Sequence, residues 1–372
     1  MSGPIVITGG GTGGHIFSME AIAEQLRSNG VKPDQLRYVG SRRGQESTLL
    51  AGGEIQLTLL PGRGIRRSLR PRAAVENIGA VVGLCGAVII ALVKVARWRP
   101  SVVVSVGGYA SFAVALAAVV LGRPIVLVEL DTVPGAAQRI FSRFARVRCR
   151  AFPSGDARSV VTGVPLRHAI VSIDRSPGVR RAARARTEPA IEESRRVIVV
   201  MTGSLGATRV NRAVSELARL WANRDDCTII HVTGRRDYAK VRRERPITKD
   251  LDYRITEFAD MTALWAVCDV AVCRAGGATV GELTALAIPS VLVPLPGAPD
   301  DHQTRNAEAV VEAGGARLVV DDECTGETLG RVLDDIMVPE TLADMSQRAG
   351  SLGRSDAAQT IARVVLDVGD VT

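Results

Sequence analysis

Aromatic side chains are scarce in this chain, since phenylalanine, tryptophan and tyrosine together make up 3% of its 372 residues. Proteins that bind single-stranded nucleic acid stack bases on such rings. We also find no helix-turn-helix or zinc-finger spacing. A nucleic-acid partner is therefore not expected, although the net charge is +8. The positive charge favours another anion, which is an acidic membrane surface or a phosphorylated substrate.

Paired cysteines are also absent: no C-x-x-C motif and no metal-ligand spacing occurs among the six cysteines. In a chain of this size such cysteines indicate reduced, buried thiols in a cytoplasmic protein. They predict neither a disulfide framework nor a metal site.

Uncharged runs long enough to cross a bilayer are not evident. The longest apolar run covers residues 78–93 and is followed by Lys94, Arg97 and Arg99. A spanning helix usually needs about 20 residues, so spanning is not expected. The run fits a core helix. It also fits a helix whose apolar side meets the bilayer surface, with anionic headgroups attracted by the upstream arginines. Those are Arg66, Arg67, Arg70 and Arg72.

What is abundant is a repeated alternation of short apolar runs and amphipathic runs, with 37 glycines at the turns. The pattern occurs twice and predicts an α/β protein with two doubly wound parallel sheets facing across a cleft. Residues 171–196 are charged and break the pattern. We predict an N-terminal domain over 1–168, a linker with a surface helix over 169–196, and a second domain over 197–338. Residues 339–372 are predicted to form C-terminal helices that pack back toward the N-terminal domain.

Three predicted strands end in glycine turns, at residues 8–15, 105–111 and 202–207. In doubly wound sheets, ligands bind at the carboxyl ends of the strands. A glycine turn that opens a helix exposes backbone N–H groups and the positive end of the helix dipole, which favours phosphate. A single turn of this kind is weak evidence, but three predict a phosphate-bearing ligand.

The first turn matches the dinucleotide fingerprint G-x-G-x-x-G. Ser41, Arg42 and Arg43 follow the next strand, where an NADP enzyme holds its 2′-phosphate. Against an NADP oxidoreductase, His15 would crowd the pyrophosphate. That interpretation also leaves unexplained the cluster over residues 273–310, where Glu282 opens one helix and Asp300, Asp301 and His302 open another.

Several ordered motifs resemble one family over nearly the whole chain. They are GGGTGGHIF, GSRRGQE, GGYAS and GVPLR in the first half, and GSLGA, HVTG, FADM and RAGGATVGEL with DDHQTRNA in the second. The sequence resembles the MurG family, glycosyltransferases of GT-B fold that use UDP-N-acetylglucosamine to complete a lipid-linked peptidoglycan precursor.

The resemblance implies two catalytic candidates, His15 as the general base and Glu129 as the second choice. It implies that the acceptor diphosphate lies at Gly107, Gly108 and Tyr109. The residues implied to bind the sugar nucleotide are Thr12, Gly13, Gly14, Asp131, Arg167, Ser204, Ala259, Gly277, Ala278, Thr279, Val280, Gly281, Glu282 and Gln303. Within that set, Ala259 would meet the uracil through its backbone, Glu282 the ribose hydroxyls and Gln303 the sugar hydroxyls.

The implied reaction is an inverting transfer of N-acetylglucosamine from UDP to the 4-hydroxyl of a muramyl sugar on undecaprenyl diphosphate. No cofactor and no metal is expected, because backbone N–H groups and arginine can neutralise the leaving group. The implied location is the cytoplasmic face of the cell membrane, bound peripherally to anionic lipid.

Four alternatives remain open. They are another GT-B sugar transferase, a sugar-nucleotide epimerase, the NADP oxidoreductase and a UDP-N-acetylglucosamine-binding paralogue without activity. The last is suggested by the stretch Val128 to Asp131, where the family usually shows H-E-x-N.

Overall fold

The computed structural model describes residues 3–50, 52–62, 71–153, 156 and 158–369, with the side chains of 71–78 excluded. The chain divides into two compact units. The first comprises Met1–His168 and Ser355–Thr372, and the second comprises Ala169–Arg354. Arg66, Arg67 and Arg70 lie outside the described residues, and the side chain of Arg72 is not described either.

The first unit is built on a parallel sheet whose central strands are apolar along their whole length. Such strands are buried on both faces, as expected when helices cover both sides of a sheet. Within the described residues the strand order is β3-β2-β1-β4-β5-β6-β7. The strands are β1 Ile5–Thr8, β2 Leu36–Ser41, β3 Gln56–Leu60, β4 Val102–Ser105, β5 Ile125–Glu129, β6 Val147–Arg150 and β7 Ser159–Val161.

Helices of the first unit follow the strands in alternation. They are α1 Gly13–Ser28, α2 Glu46–Leu49, α3 Pro71–Trp98, α4 Tyr109–Val120 and α5 Ala136–Phe141, and α6 His168–Val171 lies across the unit boundary.

The second unit repeats this plan after the charged segment. Its parallel sheet, in the part of the chain that the structure describes, has the order β10-β9-β8-β11-β12-β13. The strands are β8 Arg196–Met201, β9 Cys227–Val232, β10 Asp252–Thr256, β11 Val270–Cys273, β12 Ser290–Leu292 and β13 Ala316–Leu318. The helices are α7 Pro177–Ala185, α8 Thr208–Leu220, α9 Tyr238–Arg243, α10 Met261–Val267, α11 Gly277–Ala285, α12 His302–Glu312, α13 Gly326–Met337, α14 Pro339–Leu352 and finally α15 Ala357–Gly369, which returns to the first unit. The predicted pair of doubly wound α/β sheets is confirmed.

The unit boundaries differ from the predicted domain boundaries at two places. Helix α7, predicted to be a surface helix of the linker, packs against α10 within the second unit. Its Arg184 and Arg180 form ion pairs with the buried carboxylate of Asp269. Helix α14 also stays in the second unit, against α11 and α13, whereas α15 packs on α1 of the first unit. The return toward the N-terminal unit is therefore made by α15 and not by α14.

Helix α3 has two contrasting faces. Ala87, Ala91 and Val95 are buried in the core of the first unit, where α3 packs on α4. Val82, Ile89 and Val93 are 67%, 62% and 62% exposed. Ile89 and Val93 follow Ala87 and Ala91 by two residues each, and Val82 lies about two turns before Ile89. A shift of two residues is about 200° around a helix, so these residues form the opposite face. We call Val82, Ile89 and Val93 the α3 outer face.

One helix of the described residues is long and apolar enough to cross a membrane, judged by length and composition only. It is the segment Gly79–Trp98 of α3, with a mean hydropathy of 2.3. The apolar helix is thus longer than the uncharged run had suggested. A buried core helix can have the same length and composition.

Candidate active site

The topology of the first sheet brings two glycine turns together. The strand order reverses between β1 and β4, and crevices at such reversals are where open α/β sheets bind ligands. Residues 9–12 follow β1 and residues 106–108 follow β4. A Cβ atom built on Gly108, whose φ is 88°, would lie 2.2 Å from the carbonyl oxygen of Gly10. Only glycine permits this contact between the two turns.

His15 lies in the first turn of α1, between these two glycine turns. Thr12 Oγ1 is 2.7 Å from His15 Nδ1, and a Cβ atom on Gly107 would lie 3.0 Å from His15 Nε2. If Nδ1–H donates to Thr12, Nε2 carries the lone pair that can accept a proton. Gly13 and Gly14 continue the same turn and are half-buried.

Glu46 is a residue that the sequence interpretation missed. Its side chain is fully buried, and its Oε1 accepts hydrogen bonds from the backbone N–H groups of Gly11 (3.1 Å) and Ser41 (3.0 Å). A Cβ atom on Gly10 would lie 1.7 Å from that oxygen, and one on Gly44 would lie 1.8 Å from Oε2. The glycines of the GSRRGQE motif therefore make room for a carboxylate that holds the first glycine turn.

The arginines of the same segment lie at the surface, whereas the Glu46 carboxylate is buried. Arg42 and Arg43 are exposed, and Ser41 is buried. The Glu46 carboxylate fills the space behind Gly10.

Glu129, the second predicted base, lies among arginines. It ends β5, its side chain is fully buried, and parallel pairing with β6 places Arg150 directly beside it. Arg148 Nε donates to Glu129 Oε1 at 3.0 Å, and Arg150 Nε lies 3.2 Å from Oε2. A carboxylate held by two arginines and removed from solvent is not placed to take a substrate proton. Its contacts indicate a structural role at the end of the sheet.

Three other predicted residues of the first unit have identifiable surroundings. The hydroxyl of Tyr109 donates to the carbonyl of Pro61 at 3.1 Å. Burial raises the pKa of that hydroxyl. Asp131 is half-buried in the loop after β5. The guanidinium of Arg167 lies 4.0 Å from the centre of the Phe17 ring, one turn along α1 from the glycine turn.

In the second unit, the loop after β8 carries Ser204, and its neighbour fixes its shape. A Cβ atom on Gly234 would lie 2.4 Å from the backbone nitrogen of Gly206, so the loops after β8 and β9 touch. The carbonyl of Ser204 accepts the N–H of Arg235 at 3.1 Å, and its side chain is exposed. The HVTG motif thus supplies the glycine on which the Ser204 loop rests.

His231 of the same motif is a core histidine. Its Nε2 is 2.8 Å from Asn211 Oδ1 and its Nδ1 is 2.8 Å from the hydroxyl of Tyr253. Asn211 uses its amide nitrogen on Thr233 and Asp237, so its oxygen accepts from Nε2–H. Burial lowers the pKa of His231 to about 3, which keeps the ring neutral.

The strand order of the second sheet reverses between β8 and β11, and β11 leads into α11. Gly276 caps this helix, and Gly277 to Glu282 form its first turns, where backbone N–H groups point out of the helix. Gly277 and Val280 are buried, whereas Ala278, Thr279, Gly281 and Glu282 are half-buried. This is the geometry that favours a phosphate.

Glu282 has a defined orientation. The indole Nε1–H of Trp265, on α10, donates to Glu282 Oε2 at 2.8 Å. Ala259 is half-buried in the loop that precedes α10, and Asp260 caps that helix by accepting from the N–H of Thr262.

The loop before α12 is held by its own polar side chains. Gln303 Oε1 accepts the N–H of Leu295 at 3.0 Å, and His302 Nδ1 lies 2.8 Å from the carbonyl of Pro299. Asp301 makes no side-chain bond to the helix backbone, and its carboxylate accepts from the Thr304 hydroxyl instead. The amide of Asn306 donates to the carbonyl of Ala275 at 3.0 Å, which joins this loop to the α11 entrance.

Comparison with known proteins agrees with this geometry. Residues 5–148 match the model of the glycosyltransferase family 28 N-terminal domain, and residues 197–361 match that of the C-terminal domain. The chain is 38% identical over 375 residues to a UDP-N-acetylglucosamine–N-acetylmuramyl-(pentapeptide) pyrophosphoryl-undecaprenol N-acetylglucosamine transferase of Alkalilimnicola ehrlichii, with 99% of each chain covered.

Solved structures separate the family from its fold relatives. The MurG of Acinetobacter baumannii is 25% identical with a TM-score of 0.76, covering 98% of this chain and 99% of its own. A UDP-GlcNAc 2-epimerase from Neisseria meningitidis is 16% identical with a TM-score of 0.65, covering 98% of this chain and all of its own, and shares the fold alone.

The two parallel α/β units, together with the matches to both family 28 domains, identify a glycosyltransferase of GT-B fold. Within that class, the chain belongs to the MurG family.

Proposed function

We propose that this enzyme transfers N-acetylglucosamine from UDP-N-acetylglucosamine to a muramyl-pentapeptide linked to undecaprenyl diphosphate. The observation that carries the proposal is the similarity to a relative of that activity over 99% of both chains. The reaction belongs to peptidoglycan synthesis, and through it to cell shape and cell division.

The bond changes define what the residues must do. The 4-hydroxyl of the muramyl sugar attacks the anomeric carbon, the bond from that carbon to the UDP oxygen breaks, and configuration inverts. His15 Nε2 takes the hydroxyl proton, with Thr12 orienting the ring. The backbone N–H groups at residues 107 and 108 would hold the acceptor diphosphate beside it.

Different residues of the second unit would bind different parts of the sugar nucleotide. The α11 entrance and the Ser204 loop would hold the diphosphate through backbone N–H groups, which stabilise the charge that develops on UDP. Glu282 would accept from the ribose hydroxyls, the backbone at Ala259 would meet the uracil, and Gln303 would contact the sugar.

The test is UDP release from UDP-N-acetylglucosamine with and without a short-chain analogue of the lipid acceptor. We expect acceptor-dependent release that falls at least about a hundredfold in His15→Ala, the scale of a lost general base. His168→Ala is the matched control, because His168 is exposed in the same unit. Release without acceptor would favour an epimerase, and nucleotide binding without release would favour an inactive paralogue.

We further propose that the enzyme binds peripherally to the cytoplasmic face of the membrane through the α3 outer face. The opposite face of α3 is committed to the core of the first unit, so lipid could reach only one side of this helix. Its exposed aliphatic side chains followed by Lys94 and Arg97 suit an anionic surface.

Vesicle sedimentation tests this second proposal. Val82→Gln with Ile89→Gln should weaken binding to phosphatidylglycerol vesicles about tenfold and leave turnover of a water-soluble acceptor unchanged. Leu220→Gln, which replaces an exposed aliphatic residue on the other unit, should have no effect. Equal binding by all three proteins would show that another surface meets the lipid.

A further inference from the structure

Trp265 is a buried side chain whose one polar atom points at the candidate donor site. Its exposed fraction is 0%, and its Nε1–H is 2.8 Å from Glu282 Oε2. An indole N–H can only donate, and a carboxylate is the strongest acceptor available to it. The hydrogen bond therefore limits the positions that the Glu282 carboxylate can take at the start of α11.

The backbone that carries Trp265 is fixed at both ends of α10. At the start, Asp260 accepts from the N–H and the hydroxyl of Thr262 at 2.9 and 2.7 Å. At the end, Arg175 donates to the carbonyls of Trp265 and Cys268, and Arg180 donates to that of Cys268 at 3.1 Å. These arginines satisfy carbonyls that a helix end leaves without a helical partner.

A glutamate side chain has three rotatable bonds, so an unrestrained carboxylate would lose entropy when it binds a ligand. A site that is ordered before binding avoids that loss. A carboxylate that must accept from two adjacent hydroxyls also needs a particular orientation, because hydrogen bonds weaken steeply away from linearity.

We propose that Trp265 is a positioning residue that orients Glu282 toward the ribose hydroxyls of the nucleotide. The inference rests on the proposed function, in which Glu282 meets the ribose. Trp265 itself does not touch the ligand in this account, and its effect passes through the carboxylate alone.

Isothermal titration with UDP and with 2′-deoxy-UDP tests the inference, because the second ligand lacks one hydroxyl that Glu282 would accept. Trp265→Phe keeps a large ring and removes the N–H. We expect it to weaken UDP binding about tenfold, the equivalent of one hydrogen bond to a charged group. Binding of 2′-deoxy-UDP should weaken less than about threefold, so the preference for UDP shrinks.

A double-mutant cycle distinguishes positioning from a general loss of structure. In a Glu282→Ala background, adding Trp265→Phe should change the dissociation constant for UDP less than about twofold. Trp221→Phe, which alters a buried tryptophan at the end of α8, should leave both constants unchanged. Equal weakening of the two ligands by Trp265→Phe, or full additivity with Glu282→Ala, would overturn the inference.

If Trp265→Phe does not fold, β-(3-benzothienyl)alanine at residue 265 replaces the N–H with sulfur in a ring of the same shape. The same loss of preference is expected, and an unchanged preference would overturn the inference. Failure of the unmodified enzyme to bind UDP at all would instead refute the proposed function.

Discussion

Replacing Glu46 tests whether a buried carboxylate holds the first glycine turn. Glu46→Ala leaves the buried N–H of Ser41 without its acceptor, at a cost of about 1–3 kcal/mol, and opens a small cavity. The N–H of Gly11 is exposed and can turn to water. Removal of Oε2, which is buried and makes no hydrogen bond, recovers part of that cost. We therefore expect a net destabilisation of about 2–3 kcal/mol.

Glu46→Gln separates hydrogen bonding from charge. Its amide oxygen can still accept both N–H groups, while its NH₂ group replaces an oxygen that had no partner. We expect a loss of about 1 kcal/mol. Since about 1 kcal/mol shifts the melting temperature of a unit of this size by roughly 2–4 °C, the alanine variant should melt about 4–12 °C lower.

Thermal unfolding and acceptor-dependent UDP release are the two assays. Glu46→Ala should lose activity about a hundredfold, because a shift of the glycine turn moves His15, whose Nε2 we propose as the proton acceptor. Glu46→Gln should keep activity within about threefold. Glu54→Ala, which removes an exposed partner of Arg27, controls for loss of a surface charge. Native melting and turnover in Glu46→Ala would refute the reasoning, and equal damage by both variants would show that charge rather than acceptor geometry matters.

Two further substitutions test the buried groups. His231 stays neutral in the native state down to about pH 3, whereas in the unfolded chain it gains a proton below about pH 6.5. Between these two pH values the unfolded state binds one more proton, so the free energy of unfolding falls by up to about 1.4 kcal/mol for each pH unit of acidification. His231→Gln should flatten the pH dependence of urea unfolding between pH 7 and 5, and an unchanged slope would contradict this. Glu129→Gln, which leaves Arg148 and Arg150 without their shared anion, should destabilise the enzyme by about 3 kcal/mol. The pH profile of kcat should not move, and loss of its acidic-limb pKa, the limb that reports an essential base, would restore Glu129 as a catalytic candidate.

Much of the fold is predictable because its signals are local. Apolar runs such as Ile5–Thr8 and Val102–Ser105 predict buried strands. Glycines 10, 11, 107 and 108 predict turns, and all four have a positive φ. The position of the first turn of α11 just after β11 follows from the alternation of strands and helices along the chain. These features depend on a few neighbouring residues and on rules that hold for all parallel sheets.

The roles of carboxylates are harder to predict, because their partners lie far along the chain. Glu129 resembles a base until β5 and β6 pair in a register that sets Arg150 beside it. Glu46 bonds to Gly11 across 35 residues, and nothing in the motif GSRRGQE says that the glutamate matters more than the arginines. Trp265 lies in an apolar stretch and would be predicted as an ordinary core residue. Only the fold shows that its indole N–H donates to Glu282.

Helix α15 makes the first unit discontinuous, since Ser355–Thr372 complete a body begun by Met1–His168. During synthesis, the second unit is made in full before this helix leaves the ribosome. Until then, the surface of α1 against which α15 packs has no cover. A chain interrupted before Ser355 would therefore contain the whole of the second unit, while the unit that carries His15 would lack one of its helices.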